Sequence, residues 1–286
     1  MNLSVAIVTF NEEATLGRTL ESVKPLVADG KGEIILVDSG STDRTVEIAI
    51  SFGAKVFVEE WKGYAAQKNS AIDKATGDWI LSLDADEELS ADLARHIAIS
   101  ATDDRRGPFE WNLAPRFDVA YEDLRTNVGP LPRGFWIARK NHFLGRWIKH
   151  GGYYPDRKLR LFARGSARFD ECRAVHEDAH TNRQTAVVKV GALVHHSYPA
   201  LSDYIEHMNR YSSLGAEMVV AKGAVRFSVI NIVLRPPATF VYNYFFRLGF
   251  LDGREGLLLH LYHTVYVSWK YAKAWELSRK KITAVQ

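Results

Sequence analysis

The length, composition and charge of the chain exclude several classes of protein. With 286 residues, of which 47% are hydrophobic and 25% are charged, it can bury a sizeable core and is not a disordered chain. A formal net charge of only +3 argues against a nucleic-acid-binding protein, and the single cysteine, Cys172, excludes an internal disulfide and is typical of a reducing compartment.

Targeting signals are the next feature that the sequence lacks. The first four residues, Met1-Asn2-Leu3-Ser4, have no basic region of the kind that opens a signal peptide. No run of about 18 uncharged apolar residues predicts a membrane span. We therefore expect a cytoplasmic protein.

Strand and helix patterns alternate through the first half of the chain. In chain order they predict a strand over 3–10, a helix over 13–27, a strand over 33–38, a helix from Ser41, a strand over 55–58, a helix over 64–75 and a strand over 78–84. This alternation indicates right-handed βαβ units. The fold class expected is α/β, with a mostly parallel, nucleotide-binding sheet flanked by helices.

The rhythm changes in the second half. Residues 125–173 are rich in Arg, Lys, Gly, Pro and aromatic side chains, which suits an insertion that builds an acceptor site. A last strand is expected over 187–195 and a helix over 201–222. We therefore predict one domain over 1–224, divided into a nucleotide-sugar half (1–104) and an acceptor-side half (105–224).

The C-terminal tail, residues 225–286, is predicted to be an amphipathic, basic helical extension. Residues 222–286 hold ten Lys or Arg against three Asp or Glu, between aromatic and aliphatic blocks. This pattern suits an interfacial helix on an anionic membrane, so the protein is expected to be peripheral on the inner face of the plasma membrane if the tail binds lipid. Packing of the tail on the domain, or a dimer interface, is an equal alternative, and the oligomeric state stays open.

Two carboxylates, Asp84 and Asp86, follow the predicted strand over 78–84. Carboxylates at this position can hold a divalent cation such as Mg²⁺ or Mn²⁺, which would bridge to a diphosphate. A solvated turn is the ordinary alternative for an isolated D-x-D pair. Its place at the carboxyl end of a parallel strand favours a ligand site, because open α/β sheets bind ligands there.

Asp38 also ends a predicted strand, followed by the small loop Ser39-Gly40-Ser41. Its carboxylate can accept from a base or ribose while the loop allows close backbone approach. A turn in which Ser41 caps a helix is compatible with the same residues. The loop has no glycine–lysine pattern of a P-loop, and no G-x-G-x-x-G follows the first strand, which argues against a dehydrogenase.

Basic and imidazole side chains in the second half are further candidates. Arg160, with Arg157 and Lys158, can neutralise a diphosphate or meet a phosphorylated acceptor, or else form a solvated strand face. His195 and His196 end a predicted strand, and we select His196 as a candidate metal ligand, with a buried or capping role as the alternative.

Four motifs in order carry a resemblance to a known family. They are Val8-Thr9-Phe10-Asn11-Glu12, Val37-Asp38-Ser39-Gly40-Ser41-Thr42-Asp43, Gly63-Tyr64-Ala65-Ala66-Gln67-Lys68-Asn69 and Asp84-Ala85-Asp86-Glu87. This ordered set resembles the inverting family 2 glycosyltransferases of GT-A fold. Further on, the stretches at 151–156, 175–177 and 251–256 resemble the bacterial branch near lipopolysaccharide core β-glucosyltransferases, although Lys158-Leu159-Arg160-Leu161-Phe162 departs from that branch's usual Gln-x-Arg-Leu-Phe.

The resemblance implies a role for individual residues. Thr9, Glu12 and Asp38 are expected to hold a uridine-type nucleoside, with Lys68 near the nucleotide. Asp84 and Asp86 are expected to face the ribose and the metal. Glu177 matches the family's general base, which removes the proton of the acceptor hydroxyl, and Asp156 is the second choice for that role.

The sequence thus predicts an enzyme, a hexosyltransferase that moves a sugar from a UDP-sugar such as UDP-glucose to a lipopolysaccharide-core or related cell-envelope glycan. Two alternatives remain open. One is the same chemistry on a polyprenyl phosphate or a peptide. The other is a non-catalytic protein that binds nucleotide sugars, against which the intact Asp84, Asp86 and Glu177 argue.

Overall fold

The computed structural model describes residues 2–102, 132–171, 178–223 and 225–283. The strands are β1 (Leu3–Thr9), β2 (Gly32–Asp38), β3 (Lys55–Val58), β4 (Trp79–Asp84), β5 (Glu87–Leu89), β6 (Gly134–Phe143), β7 (Arg146–Trp147), β8 (Asp156–Ala163), β9 (Arg168–Phe169), β10 (Ala179–His180) and β11 (Thr185–Tyr198). The α-helices are α1 (Leu16–Val27), α2 (Thr45–Ser51), α3 (Tyr64–Lys74), α4 (Ala91–Thr102), α5 (Leu201–Ala221), α6 (Arg235–Val241) and α7 (Gly253–Thr283). Short 3-10 turns lie at Ala28–Gly30 and Gly249–Asp252, and π-helical turns at Ile230–Leu234 and Tyr242–Phe246.

The chain forms two compact units. The first comprises Met1–Arg139 and Asp156–His195, and the second comprises Lys140–Pro155 and His196–Gln286. The predicted division at residue 224 does not coincide with this one, because α5 falls in the same unit as the tail. The expected α/β class with a helical C-terminal extension is confirmed by the order of the elements.

The sheet of the first unit is parallel only in its N-terminal part. Strands β3, β2, β1 and β4 pair in parallel in that order, while β8 pairs antiparallel with both β4 and β6, and β11 pairs antiparallel with β5. The predicted mostly parallel sheet is therefore a mixed one. The alternating βαβ pattern ends at β4, and only such crossovers produce parallel neighbours.

Both faces of the parallel part are covered, which explains its continuous apolar runs. Leu3, Val5 and Ile7 of β1 point to one face, where they join α1 and α4 in a buried cluster. Ala6 points to the other face, where it joins residues of α3. Period-two alternation along one strand thus supplies two separate cores.

The register of the parallel strands determines where the candidate site lies. Thr9 pairs with Asp38, and Asp84 follows Leu83 at the end of the adjacent strand, in register with Val8. The carboxyl ends of β1, β2 and β4 therefore meet at one edge of the sheet, as expected from the sequence. Ligands of open α/β sheets bind at this edge.

The second unit has a small core of its own. Phe143, Ile148, Tyr204 and Leu259 are buried together, which joins the end of β6 and the residue after β7 to α5 and α7. None of the helices within the described residues is long and apolar enough to cross a membrane.

Candidate active site

Asp38 organises the loop that follows β2. Its Oδ2 accepts a hydrogen bond from the Thr9 hydroxyl at 2.8 Å, and its Oδ1 accepts from the backbone N–H groups of Gly40 (2.9 Å) and Ser41 (2.7 Å). The side chain is fully buried. Both oxygens are thus engaged within the protein, so a direct bond from Asp38 to a nucleoside requires one of these partners to be exchanged.

The loops after β1 and β2 are tied to each other. The backbone N–H of Asn11 donates to the Ser41 hydroxyl at 2.8 Å, and the Asn11 side-chain oxygen accepts from the backbone N–H of Thr42 at 2.8 Å. Asn11 has a φ of 55°, a left-handed conformation that Asn tolerates better than most residues. These bonds make a defined polar rim beside the exposed ring of Phe10.

Asp84 lies between two buried cations. Lys68 Nζ is 2.7 Å from Oδ1, and an Arg160 Nη donates to Oδ2. Burial alone would raise the pKa of Asp84, but the positive charges of Arg160 and Lys68 hold it well below its usual range. Asp84 is therefore ionised in the folded protein, and both of its oxygens already have cationic partners.

Glu87, also fully buried, extends this arrangement. It accepts hydrogen bonds from Arg160 at 2.8 Å, from Arg139 at 3.1 Å and from the Asp84 backbone N–H at 3.1 Å. Arg139 in turn donates twice to one oxygen of Asp156, at 2.9 and 2.7 Å. The result is a charge chain of alternating sign, defined as Lys68, Asp84, Arg160, Glu87, Arg139 and Asp156.

The charge chain contains equal numbers of cations and anions, which makes its burial tolerable, because each charge has a hydrogen-bonded counterion. One donor is left over. The Nε of Arg160 is buried and has no hydrogen-bond partner within the described residues. The guanidinium thus keeps an unused donor beside the first carboxylate of the D-x-D motif.

Asp86 has a different partner, the imidazole of His195. Their Oδ2 and Nε2 atoms are 3.0 Å apart, and the pairing of β11 with β5 explains this proximity, since it sets His195 opposite Glu87. Burial alone would raise the pKa of Asp86, but His195 lowers it. Both side chains retain some exposure, 28% for Asp86 and 16% for His195.

The acidic side chains of this site are candidates to bind a divalent cation. Within the described part of the chain, no group of three or more His, Cys, Asp or Glu side chains is arranged to hold a metal. Mg²⁺-type ions are usually bound by one or two carboxylates together with phosphate oxygens of the substrate. Asp86 offers one such carboxylate, with the imidazole of His195 beside it, whereas Asp84 is engaged by Lys68 and Arg160.

Glu12 is half-buried and lies close enough to Asp84 and Asp86 for their charges to affect it. Burial raises its pKa, and the negative charges of Asp86, Asp43 and Asp84 act in the same direction. Its carboxylate accepts from the Thr15 hydroxyl at 2.6 Å. A cation or a hydroxyl-bearing ligand would relieve the repulsion among these carboxylates.

The predicted site residues are divided between the two units and the part of the chain that is not described. Thr9, Glu12, Asp38, Lys68, Asp84, Asp86 and Arg160 all belong to the first unit. His196 belongs to the second unit, where its ring stacks on His142 at a centroid distance of 5.3 Å, so the imidazole beside Asp86 is that of His195. Glu177 lies outside the described residues, and Lys158 pairs with Asp178 at 2.9 Å.

Two motifs of the second half meet in the second unit. Asp252 is buried and accepts from the backbone N–H groups of Lys149 (3.1 Å) and His150 (2.8 Å), and its other oxygen is 2.9 Å from His150 Nδ1. Arg146 and Glu255 are 3.7 Å apart. The stretches around Gly151 and Gly253 therefore form one polar cluster, although they lie about 100 residues apart in sequence.

Sequence reasoning missed three members of the site, Glu87, Arg139 and His195. Glu87 was visible as the last residue of the Asp84-Ala85-Asp86-Glu87 motif, and His195 as the neighbour of the chosen histidine. Arg139 carried no motif at all. The antiparallel pairing of β6 with β8, which places Arg139 opposite Asp156, is a tertiary property that a single sequence does not display.

Comparisons with known proteins agree with this picture. The family model described as Glycosyl transferase family 2 matches residues 4–108. The chain is 28% identical over 284 residues to the lipopolysaccharide core biosynthesis glycosyltransferase LpsC of Rhizobium meliloti, covering 96% of this chain and 92% of that protein. It is 30% identical over 285 residues to the uncharacterized glycosyltransferase RT0209 of Rickettsia typhi, covering 97% of this chain and 88% of that protein.

Among solved structures, the chain is similar to Staphylococcus aureus TarS 1–349 in complex with UDP, with a TM-score of 0.47 and 16% identity over 98% of this chain and 92% of that one. The family assignment rests on the sequence relatives, which match across nearly the whole length. The chain belongs to glycosyl transferase family 2 and is a glycosyltransferase.

Proposed function

We propose that this enzyme transfers a sugar from a UDP-sugar, with inversion, to a hydroxyl of a lipopolysaccharide-core or related cell-envelope glycan. The acceptor class is supported by the similarity to a lipopolysaccharide core glycosyltransferase over most of both chains. The observation that carries the donor side is the set of charges at the carboxyl end of β4, where Asp84, Lys68 and Arg160 lie beside Asp86 and His195.

In the proposed reaction the acceptor oxygen attacks the anomeric carbon as the bond from that carbon to the diphosphate oxygen breaks. The hydroxyl proton passes to a carboxylate base, and UDP leaves with the electron pair of the broken bond. One displacement inverts the anomeric centre, so a single base is enough. The cationic groups of this site are proposed to stabilise the negative charge that develops on the diphosphate.

Lys68 and Arg160 are the residues proposed to bind the diphosphate. Both are held in place by Asp84, and Arg160 keeps one unused N–H donor. Because guanidinium and ammonium groups bind phosphate oxygens strongly, these side chains can stabilise the negative charge that develops on the diphosphate. Glu87 accepts a hydrogen bond from Arg160, and Arg139 donates to the same glutamate. Both residues are therefore assigned to positioning Arg160 and are not expected to contact substrate.

Asp86 and His195 are the residues proposed to hold a divalent cation. When bound, such a cation would neutralise negative charge on the diphosphate. The fit rests on one carboxylate and one imidazole that contact each other and keep partial exposure.

The nucleoside is proposed to lie against the rim formed by the loops after β1 and β2. Thr9 and Asp38 are assigned to support of this rim, since Asp38 is buried with both oxygens engaged. Glu12 is proposed to face the ribose, because its carboxylate is only half-buried. Phe10, exposed at the end of β1, is available for contact with a base.

Calorimetric titration of UDP, with and without Mn²⁺, tests the donor site. We expect tighter binding with Mn²⁺, and we expect Asp86→Asn to lose that gain and to lower transfer by at least about a hundredfold. If wild-type protein binds UDP under neither condition but binds GDP or TDP, the uridine assignment is wrong. If Asp86→Asn behaves like wild type, the cation does not use Asp86.

Glu177 remains the proposed base. Glu177→Gln should abolish transfer and leave UDP affinity nearly unchanged, because the base acts on the acceptor and not on the nucleotide. Near wild-type transfer by this variant would show that Glu177 is not the general base. Asp156→Asn is then the next variant, although Asp156 is already bonded to Arg139.

A further inference from the structure

An unusual surface lies on the helical segment 229–246 of the second unit. This segment consists of the π-helical turn Ile230–Leu234, α6 and the π-helical turn Tyr242–Phe246. One side of it packs inward through Ile232, Pro236 and Phe240, which are buried or half-buried at helical spacing. The other side faces solvent and is called the outward face below, defined by Ile230, Val233, Leu234, Val241, Phe245 and Phe246.

The outward face is apolar, contrary to the pattern of an ordinary surface helix. A helix on a globular protein normally buries its apolar stripe and exposes polar side chains. Here Ile230 is 67% exposed and Phe246 is 76% exposed, and the other members are between 43% and 57% exposed. Contiguous exposed apolar surface of this kind marks an interaction site.

The charged side chains around this segment in the sequence indicate the kind of partner that suits the outward face. Between residues 225 and 254, the exposed side chains that carry charge at neutral pH are Arg226, Arg235, Arg247 and Arg254, and the one acidic residue, Asp252, is buried. None of the four arginines forms a salt bridge with a carboxylate within the described residues. The stretch of chain that carries the apolar face thus contributes four exposed positive charges and no exposed carboxylate.

A second copy of the chain is a poorer partner for this surface than an anionic bilayer. In a twofold dimer the same patch meets itself, which would bring the four arginines of each copy toward those of the other. Anionic lipid headgroups instead neutralise these arginines, while apolar and aromatic side chains enter the boundary between headgroups and acyl chains. Tyr242, which is exposed on the same side, is a residue type favoured at that boundary.

We propose that the outward face and its four arginines dock the enzyme on the surface of an anionic lipid bilayer. The docking is peripheral, with the helical segment lying in the interface and not crossing it. This inference goes beyond the sugar-transfer reaction, since it depends only on residues of the second unit. The consequence for function is that a lipid-linked acceptor is presented in two dimensions to an enzyme already held at the same surface.

The test is co-sedimentation of the full chain with vesicles of phosphatidylglycerol and phosphatidylethanolamine, or of phosphatidylcholine alone. Wild-type protein should bind the anionic vesicles and lose affinity as salt is raised. Ile230→Asp and Phe246→Asp, made separately, should each lower the affinity at least about tenfold, because a carboxylate must then enter the interface. Ile50→Asp is the matched control, an isoleucine that is 61% exposed in the first unit, and it should bind like wild type.

The electrostatic part is tested by Arg226→Gln together with Arg254→Gln. This double variant should bind anionic vesicles about tenfold to thirtyfold less tightly, while its weaker binding to phosphatidylcholine stays the same. An unchanged melting temperature and unchanged UDP affinity would show that fold and donor site are intact in each variant. A failed donor site is thereby distinguished from a failed docking surface.

Three results would overturn the proposal. Wild-type protein could bind neither kind of vesicle, or Ile50→Asp could weaken binding as much as Ile230→Asp does. The third result is a dimer in analytical ultracentrifugation that Ile230→Asp dissociates, which would assign the outward face to a second copy of the chain.

Discussion

At the scale of single residues, the two carboxylates of the D-x-D motif have different environments. Asp84 is neutralised by Lys68 and Arg160, whereas Asp86 contacts His195. A buried carboxylate with two cationic partners is a weak choice for a metal ligand, because the cation must compete with both. This difference is the reason why Asp86 is proposed to hold the cation and Asp84 to organise the cationic side chains.

Replacement of the two adjacent histidines gives a matched test of this assignment. His195→Gln should remove most of the gain in UDP affinity that Mn²⁺ provides, about tenfold or more, because loss of a metal ligand weakens the site. His196→Gln should keep the gain, since His196 stacks on His142 in the second unit. Titration of UDP into both variants, with and without Mn²⁺, measures the difference. Equal losses in the two variants would contradict the assignment.

Glu33, near the amino end of β2, is expected to make the stability of the protein depend on pH. Burial alone would raise its pKa, but hydrogen bonds from Lys55, Ser4 and Thr76 hold the pKa at about 2, compared with 4.5 for an ordinary Glu. The unfolded chain therefore takes up a proton at a higher pH than the folded chain does. The stabilisation is complete above about pH 5 and is lost as the pH falls toward 2.

Glu33→Gln should accordingly lower the free energy of unfolding by about 2–3 kcal/mol at pH 7. The deficit relative to wild type should shrink as the pH falls from 5 toward 2. Urea unfolding at a series of pH values measures it. Glu21→Gln, an exposed glutamate in α1, serves as the control and should leave stability unchanged. A Glu33 deficit that is constant with pH would contradict the stated pKa.

At the scale of elements, β11 is longer than predicted and brings His195 to the site. The strand was expected over 187–195, and it runs over Thr185–Tyr198. It approaches the start of α4 at Gly191, where a Cβ would lie 2.6 Å from the Leu93 amide nitrogen and 2.7 Å from the Ser90 hydroxyl. A glycine with a φ of 72° at this point allows β11 to pair with β5 and so brings His195 to Asp86.

Gly191→Ala is therefore expected to cost more than backbone strain alone. We expect it to lower the free energy of unfolding by about 2–4 kcal/mol, through a positive φ and a clash with α4. Gly165→Ala is the matched control, because Gly165 has a φ of 76° and open space around its Cα, and it should cost about 1 kcal/mol. Chemical denaturation of the two variants separates clash from strain. An equal loss of unfolding free energy in both variants would show that α4 shifts to accommodate the added methyl group at little energetic penalty.

At the scale of the whole molecule, the chain does not divide where its composition changes. The composition becomes basic and aromatic near residue 225, yet α5 shares its core with the tail. Tyr204 of α5 is buried with Leu259 of α7, and Phe143 and Ile148 belong to the same cluster. The tail thus packs against α5 within the second unit.

Truncation after residue 224 tests this organisation. Without α7, the apolar face of α5 loses its partner, and we expect protease cleavage within 201–221 at least about tenfold faster than in the full chain. Limited proteolysis followed by mass spectrometry locates the cleavage sites. A truncated chain in which α5 resists cleavage as well as it does in the full chain would support the boundary predicted from composition.

The sequence by itself determined the α/β class, the strands and helices from β1 to β4, and the strand ends that carry Thr9, Asp38 and Asp84. These features follow from local patterns of apolar and turn-forming residues, so they are readable without tertiary contacts. The ordered motifs likewise determined the family. Neither inference required knowledge of how distant segments pair.

Tertiary structure alone decided which charges face each other and which side chains are free to meet a ligand. The sequence contains both His195 and His196, but only the pairing of β11 with β5 selects the one that contacts Asp86. It presents Asp38 as a candidate ligand, and only the tertiary structure shows that Thr9 and the following loop donate hydrogen bonds to both of its oxygens. The physical reason is that strand register and burial depend on contacts between segments about 30 to 110 residues apart, and these contacts have no local pattern in a single chain.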